Sequence, residues 1–144
     1  MTVRPEVSVV VPLYNESLNV EQLHREMSAS LAALGRPYEV ILVDDGSTDG
    51  TAERLRAIED ADPRVRVLRL RRNFGQTAAF SAGFDHAQGD VVVTSDGDLQ
   101  NDPADIPSLV AKLEDHPKPL RTILQEMMAE AAPYLLSEMS GGTR

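Results

Sequence analysis

The chain has 144 residues, of which 42% are hydrophobic, 26% charged and only 4% aromatic, and its formal net charge is −9. Such a length and balance fit one folded domain with a real core, and they exclude a disordered chain, a two-domain protein and a general nucleic-acid binder. No run approaches the roughly 18 uninterrupted apolar residues of a membrane helix, and the absence of cysteine excludes disulfides, thiolate metal sites and a cysteine nucleophile.

The N-terminus, Met1-Thr2-Val3-Arg4-Pro5-Glu6, enters a strand at once and carries no signal-peptide pattern, so a cytoplasmic protein is expected. Val7 to Pro12 is a continuous apolar run, as for a strand buried on both faces. The chain leaves it through Pro12-Leu13-Tyr14-Asn15-Glu16, a polar turn. Leu18, Val20, Leu23, Met27, Leu31 and Leu34 then follow helical spacing until Gly35 and Pro37 stop them. Tyr38 to Val43 is the second strand, ended by Asp44 and Asp45. A second helix is expected from about Asp49 to Ala61, closed by Pro63.

Val65 to Leu70 is the third strand, and Arg64, Arg66, Arg69, Arg71 and Arg72 crowd around it. Arginines in this pattern suit a strand near a sheet edge, where charge discourages aggregation. A face toward phosphate or anionic lipid is the other reading of part of the cluster. Gly75 to Ala87 is the third helix, with Gly89 as its stop and an amino end able to present N–H groups to an anion. Phe74, just before it, reads as core. Asp90 to Ser95 is the fourth strand. A helix follows from about Ala104 to Asp115, and His116-Pro117-Lys118-Pro119 breaks it. Leu120 to Met139 puts Leu120, Ile123, Leu124, Met127, Met128 and Ala131 on one helical face, with Pro133 ending or kinking it and a frayed end beyond. His24, His86 and His116 read as surface residues.

This β-α-β-α-β-α-β alternation implies right-handed crossovers and a parallel sheet with helices on both faces. Ligands of such sheets sit at the carboxyl ends of the strands. Asp96-Gly97-Asp98 stands at the fourth of those ends. Alternate strand residues share a face, so carboxylates at i and i+2 converge on one point, and the glycine between them admits a ligand close to the backbone. Paired carboxylates are unfavourable without a cation between them, and hard oxygen ligands suit Mg²⁺ or Mn²⁺. Gln100 can add a neutral oxygen. Asp44 or Asp45 can accept from a ribose hydroxyl or a base N–H, while Gly46 to Thr51 reads mainly as turn and helix cap. Tyr14 can lie against a base and Glu16 accept from it, or the same segment is only a helix entry capped by Asn15 or Ser17. No Gly-x-Gly-x-x-Gly, Walker lysine loop or Gly-x-Ser-x-Gly elbow is present. An aspartyl phosphatase-like Asp-x-Asp would follow the first strand, not the fourth.

Three motifs resemble the family 2 glycosyltransferases: Val9-Val10-Val11-Pro12-Leu13-Tyr14-Asn15-Glu16, Val43 to Thr51, and Asp96-Gly97-Asp98-Leu99-Gln100-Asn101-Asp102-Pro103. The fold this implies is a three-layer, Rossmann-like GT-A donor-binding half. Arg72-Asn73-Phe74-Gly75-Gln76-Thr77-Ala78-Ala79 and the run from Asp98 to Lys112 narrow the resemblance to the polyprenyl-phosphate branch that includes dolichol-phosphate mannose synthase. By that resemblance Pro12, Tyr14, Glu16, Val43, Asp44, Asp45, Asp96, Gly97 and Asp98 contact a UDP- or GDP-sugar. Asp96, Asp98 and Gln100 hold the divalent ion, and Asp96 and Asp98 count as catalytic. The reaction implied is an inverting transfer of the sugar to a polyprenyl phosphate, whose ionised phosphate needs no strong general base.

The resemblance runs to about residue 115. A nucleotide-sugar-binding domain is therefore expected over 1–116, with a helical, unrelated tail over 117–144 and the family's acceptor half missing. The tail would cover exposed core surface or pair with a second chain or partner subunit. Two readings follow: a metal-dependent glycosyltransferase, and a truncated, non-catalytic nucleotide-sugar-binding remnant or regulatory subunit. The expected place is the cytoplasm, or peripherally the membrane surface.

Overall fold

A computed structural model describes residues 4–95, Pro107 and the backbone of 122–125. The elements are β1 (Val7–Leu13), α1 (Val20–Ala32), β2 (Tyr38–Asp44), α2 (Thr51–Ala61), β3 (Val65–Arg69), α3 (Gln76–His86), β4 (Val91–Thr94) and β5 (Thr122–Gln125). The strands form one sheet in the order β3-β2-β1-β4-β5, and every pairing is parallel. β1 is central, with Val9 opposite Val40 on one side and Val93 on the other.

Alternation along each strand divides the core in two. Val7, Val9, Val11, Val40 and Leu42 pack against Leu23, Met27 and Leu31 of α1 and Leu55 and Ile58 of α2. Val10, Ile41, Val43 and Val92 pack on the other face against Ala79 and Phe80 of α3. The continuous apolar strands follow from this, since both faces are covered. At Gly83 α3 lies close against the sheet: a Cβ there would sit 2.3 Å from Cγ1 of Val10. The fold is thus the α/β, Rossmann-like arrangement with helices on both faces.

β3 is an edge strand, as its arginines suggest. Its outward amides are blunted by the chain itself: Val65 donates to the Asp62 carbonyl at 3.0 Å, and Val67 donates to the Glu59 carboxylate at 2.7 Å. His24 is not a free surface residue. It is half-buried and its Nε2 lies 2.9 Å from Asp62, tying α1 to the end of α2. Burial opposes ionisation of Asp62, but hydrogen bonds from His24 and the Arg64 amide outweigh it and hold its carboxyl below the usual range. His86 is exposed as expected, and His116 lies outside the described residues.

The helix expected from Leu120 to Met139 is corrected over Thr122–Gln125, which form β5 alongside β4. A short apolar run containing Thr122 and Ile123 satisfies either period, and the open edge of β4 offers a ladder that local helical spacing does not reveal. The remainder of that expected helix, and the one expected over 104–115 apart from Pro107, lie outside the described residues.

Candidate functional site at the carboxyl edge of the sheet

The loops leaving β1 and β2 are sewn together. Asp45 donates its amide to the Leu13 carbonyl at 2.8 Å, and Asn15 donates its amide to Oγ of Ser47 at 2.8 Å. The Thr48 amide donates to Oδ1 of Asn15 at 2.9 Å, which secures Asn15 at a positive φ of 53°. Glu16 and Ser17 donate their amides to Oγ1 of Thr51 at 3.0 Å and Oδ2 of Asp49 at 3.2 Å. Asn15 and Ser17 therefore serve the loop rather than cap α1, whose N-cap position is Asn19.

Asp49 closes this seam. The Thr51 hydroxyl, most of all, holds its carboxyl down to about 2; slight desolvation opposes this, and the Ser17 and Thr51 amides add to the lowering. A carboxylate with a folded pKa below its unfolded value near 4 contributes stability that is present above about pH 4 and lost as the pH falls toward 2. Its exposure keeps that contribution modest. Asp49→Asn is expected to flatten the acid side of the stability profile between about pH 4 and 2, read by urea melts at stepped pH. An unaltered slope there would count against the assignment.

Asp44 and Asp45 have opposite fates. Asp45, 4% exposed, is saturated: Oδ1 accepts the Phe74 amide at 2.8 Å, and Oδ2 accepts the Gly75 amide at 3.0 Å and Nδ2 of Asn73 at 3.3 Å. It anchors the loop from β3 to α3. The amino end of α3 is accordingly not open to an outside anion at those two amides. Asp44 is wholly buried, and its Oδ1 accepts the Ser47 amide at 3.1 Å. Its Oδ2 has no hydrogen-bond partner, with Nε of Arg69 at 3.7 Å as its nearest counter-charge. A buried carboxylate oxygen left unmatched costs about 1–3 kcal/mol, so this one is in want of a donor.

The other sequence candidates divide by place. Pro12 is buried at the end of β1, and Tyr14 is 46% exposed beside it. Glu16 is half-buried and its Oε2 accepts from Nδ2 of Asn19 at 2.7 Å. The Val43 side chain belongs to the core under α3, leaving only its backbone for a ligand. Asp96, Gly97, Asp98 and Gln100 lie outside the described residues. Ser95, just before them, is buried and donates its amide to the Val10 carbonyl at 3.1 Å on the same edge. Among the described residues, no group of three His or acidic side chains is placed to hold a metal ion. Phe74 is not core but 41% exposed, with the Arg72 guanidinium 4.0 Å from its ring centroid. Arg69 lies opposite Asp44 across the β2–β3 pairing, and Asn73 reaches Asp45 from the β3–α3 loop; neither pairing is visible in local spacing.

A concavity of about 1480 Å³ lies at the other end of the sheet, lined by Arg36, Tyr38, Glu39, Arg66 and Gly89 among others. Its buried carboxylate is committed internally: Oε2 of Glu39 accepts from the Ser8 hydroxyl at 2.6 Å and the Gln88 amide at 2.7 Å. The unmatched acceptor, by contrast, is at the carboxyl edge, which is where parallel α/β sheets bind ligands.

Comparison with known proteins identifies the family. The model of Glycosyl transferase family 2 matches residues 8–123. The undecaprenyl-phosphate 4-deoxy-4-formamido-L-arabinose transferase of Salmonella paratyphi A is 46% identical over 111 residues, which are 76% of this chain and 34% of that protein. The chain therefore spans about a third of the length of such relatives. Among solved structures, the mannosyltransferase PcManGT of Pyrobaculum calidifontis, in complex with GDP-Man and Mn²⁺, superposes with a TM-score of 0.64 at 30% identity, over 80% of this chain and 34% of that one. Residues 1–349 of S. aureus TarS, in complex with UDP, give 0.60 at 27% identity, over 77% of this chain and 32% of that one. Because the family model matches most of its length, this chain belongs to glycosyl transferase family 2.

Proposed function

We propose that the chain binds a UDP- or GDP-sugar at the carboxyl edge of its sheet, through a divalent ion, as the donor side of a transferase acting on polyprenyl phosphate. The observation that carries this reading is Oδ2 of Asp44 at the carboxyl edge, which lacks a hydrogen-bond partner and would accept from a base N–H or ribose hydroxyl once the covering loops admit a ligand. Tyr14, exposed beside it, offers a ring face to the base, and Glu16 a second acceptor. Asp96, Asp98 and Gln100 supply oxygen ligands only, which suit Mg²⁺ or Mn²⁺. When bound, such an ion neutralises the departing diphosphate, an electrostatic contribution of several kcal/mol. The name of the Salmonella relative supports a lipid phosphate acceptor, and the Mn²⁺ bound by PcManGT supports the metal.

Calorimetric titration with UDP and GDP, with and without Mn²⁺, tests the donor reading, followed by turnover on undecaprenyl phosphate with the matching sugar nucleotides. Asp98→Asn is expected to lower metal-dependent nucleotide affinity by about tenfold or more, equivalent to at least about 1.4 kcal/mol. Unchanged affinity would remove the metal assignment. Metal-dependent binding without turnover would favour a binding subunit over a transferase.

A further inference from the structure

The large hydrophobic side chains exposed among the described residues are Tyr14, Leu18 and Phe74, at 46%, 86% and 41%. All three lie on loops at the carboxyl edge, the edge of the candidate site. The Leu18 loop is hydrogen-bonded to the loop that follows β2 through Asn15, Glu16 and Ser17. The Phe74 loop rests on that same β2–α2 loop, held by Asp45 and packed against Gly46. The two apolar tips are therefore carried on one stiff bed rather than on independent loose segments.

Basic side chains accompany them. The Arg71 and Arg72 guanidiniums lie 6.0 and 4.0 Å from the Phe74 ring centroid. Both arginines are exposed, and among the described residues neither forms an ion pair. Arg4, Arg36, Arg54, Arg66 and Arg69 each have a carboxylate partner. Arg25, Arg56 and Arg64 likewise form no ion pair among the described residues, and what distinguishes Arg71 and Arg72 is that they are adjacent and both lie against the exposed Phe74 ring. An exposed Leu and an exposed Phe, with arginines at the base of the Phe, are the parts of an interfacial anchor, in which apolar tips enter the acyl boundary and guanidiniums meet headgroup phosphates.

We infer that Leu18, Phe74, Arg71 and Arg72 form a docking surface for an anionic lipid bilayer, which sets the carboxyl edge of the sheet against the membrane. The inference rests on the acceptor being a lipid phosphate, because such a phosphate lies at the bilayer surface and the donor edge must meet it there. No helix among the described residues is long and apolar enough to cross a membrane. Two arginines and two apolar tips give weak, reversible, salt-sensitive binding rather than permanent anchoring.

The test is co-sedimentation of the full chain with phosphatidylcholine vesicles, plain or containing about a third phosphatidylglycerol, and free of polyprenyl phosphate. Sedimentation with the anionic vesicles, reduced by added salt, is expected. The pair Arg71→Gln and Arg72→Gln should lower the partition coefficient roughly tenfold or more, each arginine at an anionic surface being worth several-fold. Leu18→Ser should lower it independently, and thermal melts confirm that each variant is folded. Three results would overturn the inference: a wild-type chain that stays in solution, equal binding to neutral and anionic vesicles, or a double variant that sediments like the parent. Loss of UDP affinity in the double variant with vesicle binding intact would also overturn it, and assign the arginines to the donor. Vesicle binding without transfer to undecaprenyl phosphate would support the docking surface while removing the acceptor reading.

Discussion

Asp45→Asn is expected to lower the unfolding free energy by about 3 kcal/mol, far more than the same change at its neighbour Asp44. The Asp45 carboxylate, 4% exposed, accepts from the Phe74 amide, the Gly75 amide and the Asn73 side chain. Asparagine keeps the shape and one acceptor but sets an NH₂ against groups that are themselves donors. Bonds to a charged group contribute about 1.5–3 kcal/mol each, and a buried donor left without an acceptor adds its own penalty. In urea denaturation the midpoint should fall with the slope unchanged, because the loss is local to the native state. Asp44→Asn retains the acceptor for the Ser47 amide and replaces an already unmatched buried oxygen by an equally unmatched NH₂, losing only the 3.7 Å pairing with Arg69. Its stability should change by less than about 1 kcal/mol while nucleotide affinity falls. Equal stability losses at the two positions would refute this division of labour.

The same two residues mark what the sequence could reveal. Two acidic residues at the end of β2 announce a site, because parallel sheets bind at that edge and a turn needs only one of them. Which one is structural depends on Asn73, Phe74 and Gly75, whose positions relative to β2 are set by the β2–β3 and α3 packing and not by local spacing. The four apolar runs were legible as strands because a strand covered on both faces has no polar alternation to confuse it. The short β5 was not, since Thr122–Gln125 is too brief to carry a period and owes its state to the free edge of β4. Phe74 was misjudged for a related reason. Beside arginines on a loop, an aromatic ring can be covered by guanidiniums instead of by the core, and composition does not distinguish the two. The positive φ of Asn15 is likewise invisible without Ser47 and Thr48, which hold it in place.

Gly46→Ala should be as damaging as Asp45→Asn, and coupled to it. Gly46 has φ +75°, and a Cβ there would lie 2.3 Å from the Arg72 carbonyl carbon and 2.4 Å from the Asn73 nitrogen. The left-handed backbone costs alanine about 1–2 kcal/mol by itself. The contact adds more, because the obstructing atoms are backbone and Asp45 fixes the residues that follow them. A total near 3 kcal/mol is expected by urea denaturation, accompanied by weaker nucleotide binding as the Arg72-Asn73 segment is pushed off the Asp44 loop. The coupling is the sharper test. Once Asp45→Asn has released the Asn73–Gly75 segment, that segment can retreat from the new methyl group, so the double variant should lose about 1 kcal/mol less than the two single losses combined. Strict additivity would mean that the strain at Gly46 is wholly its own backbone's, and that Asp45 does not hold the loop against it.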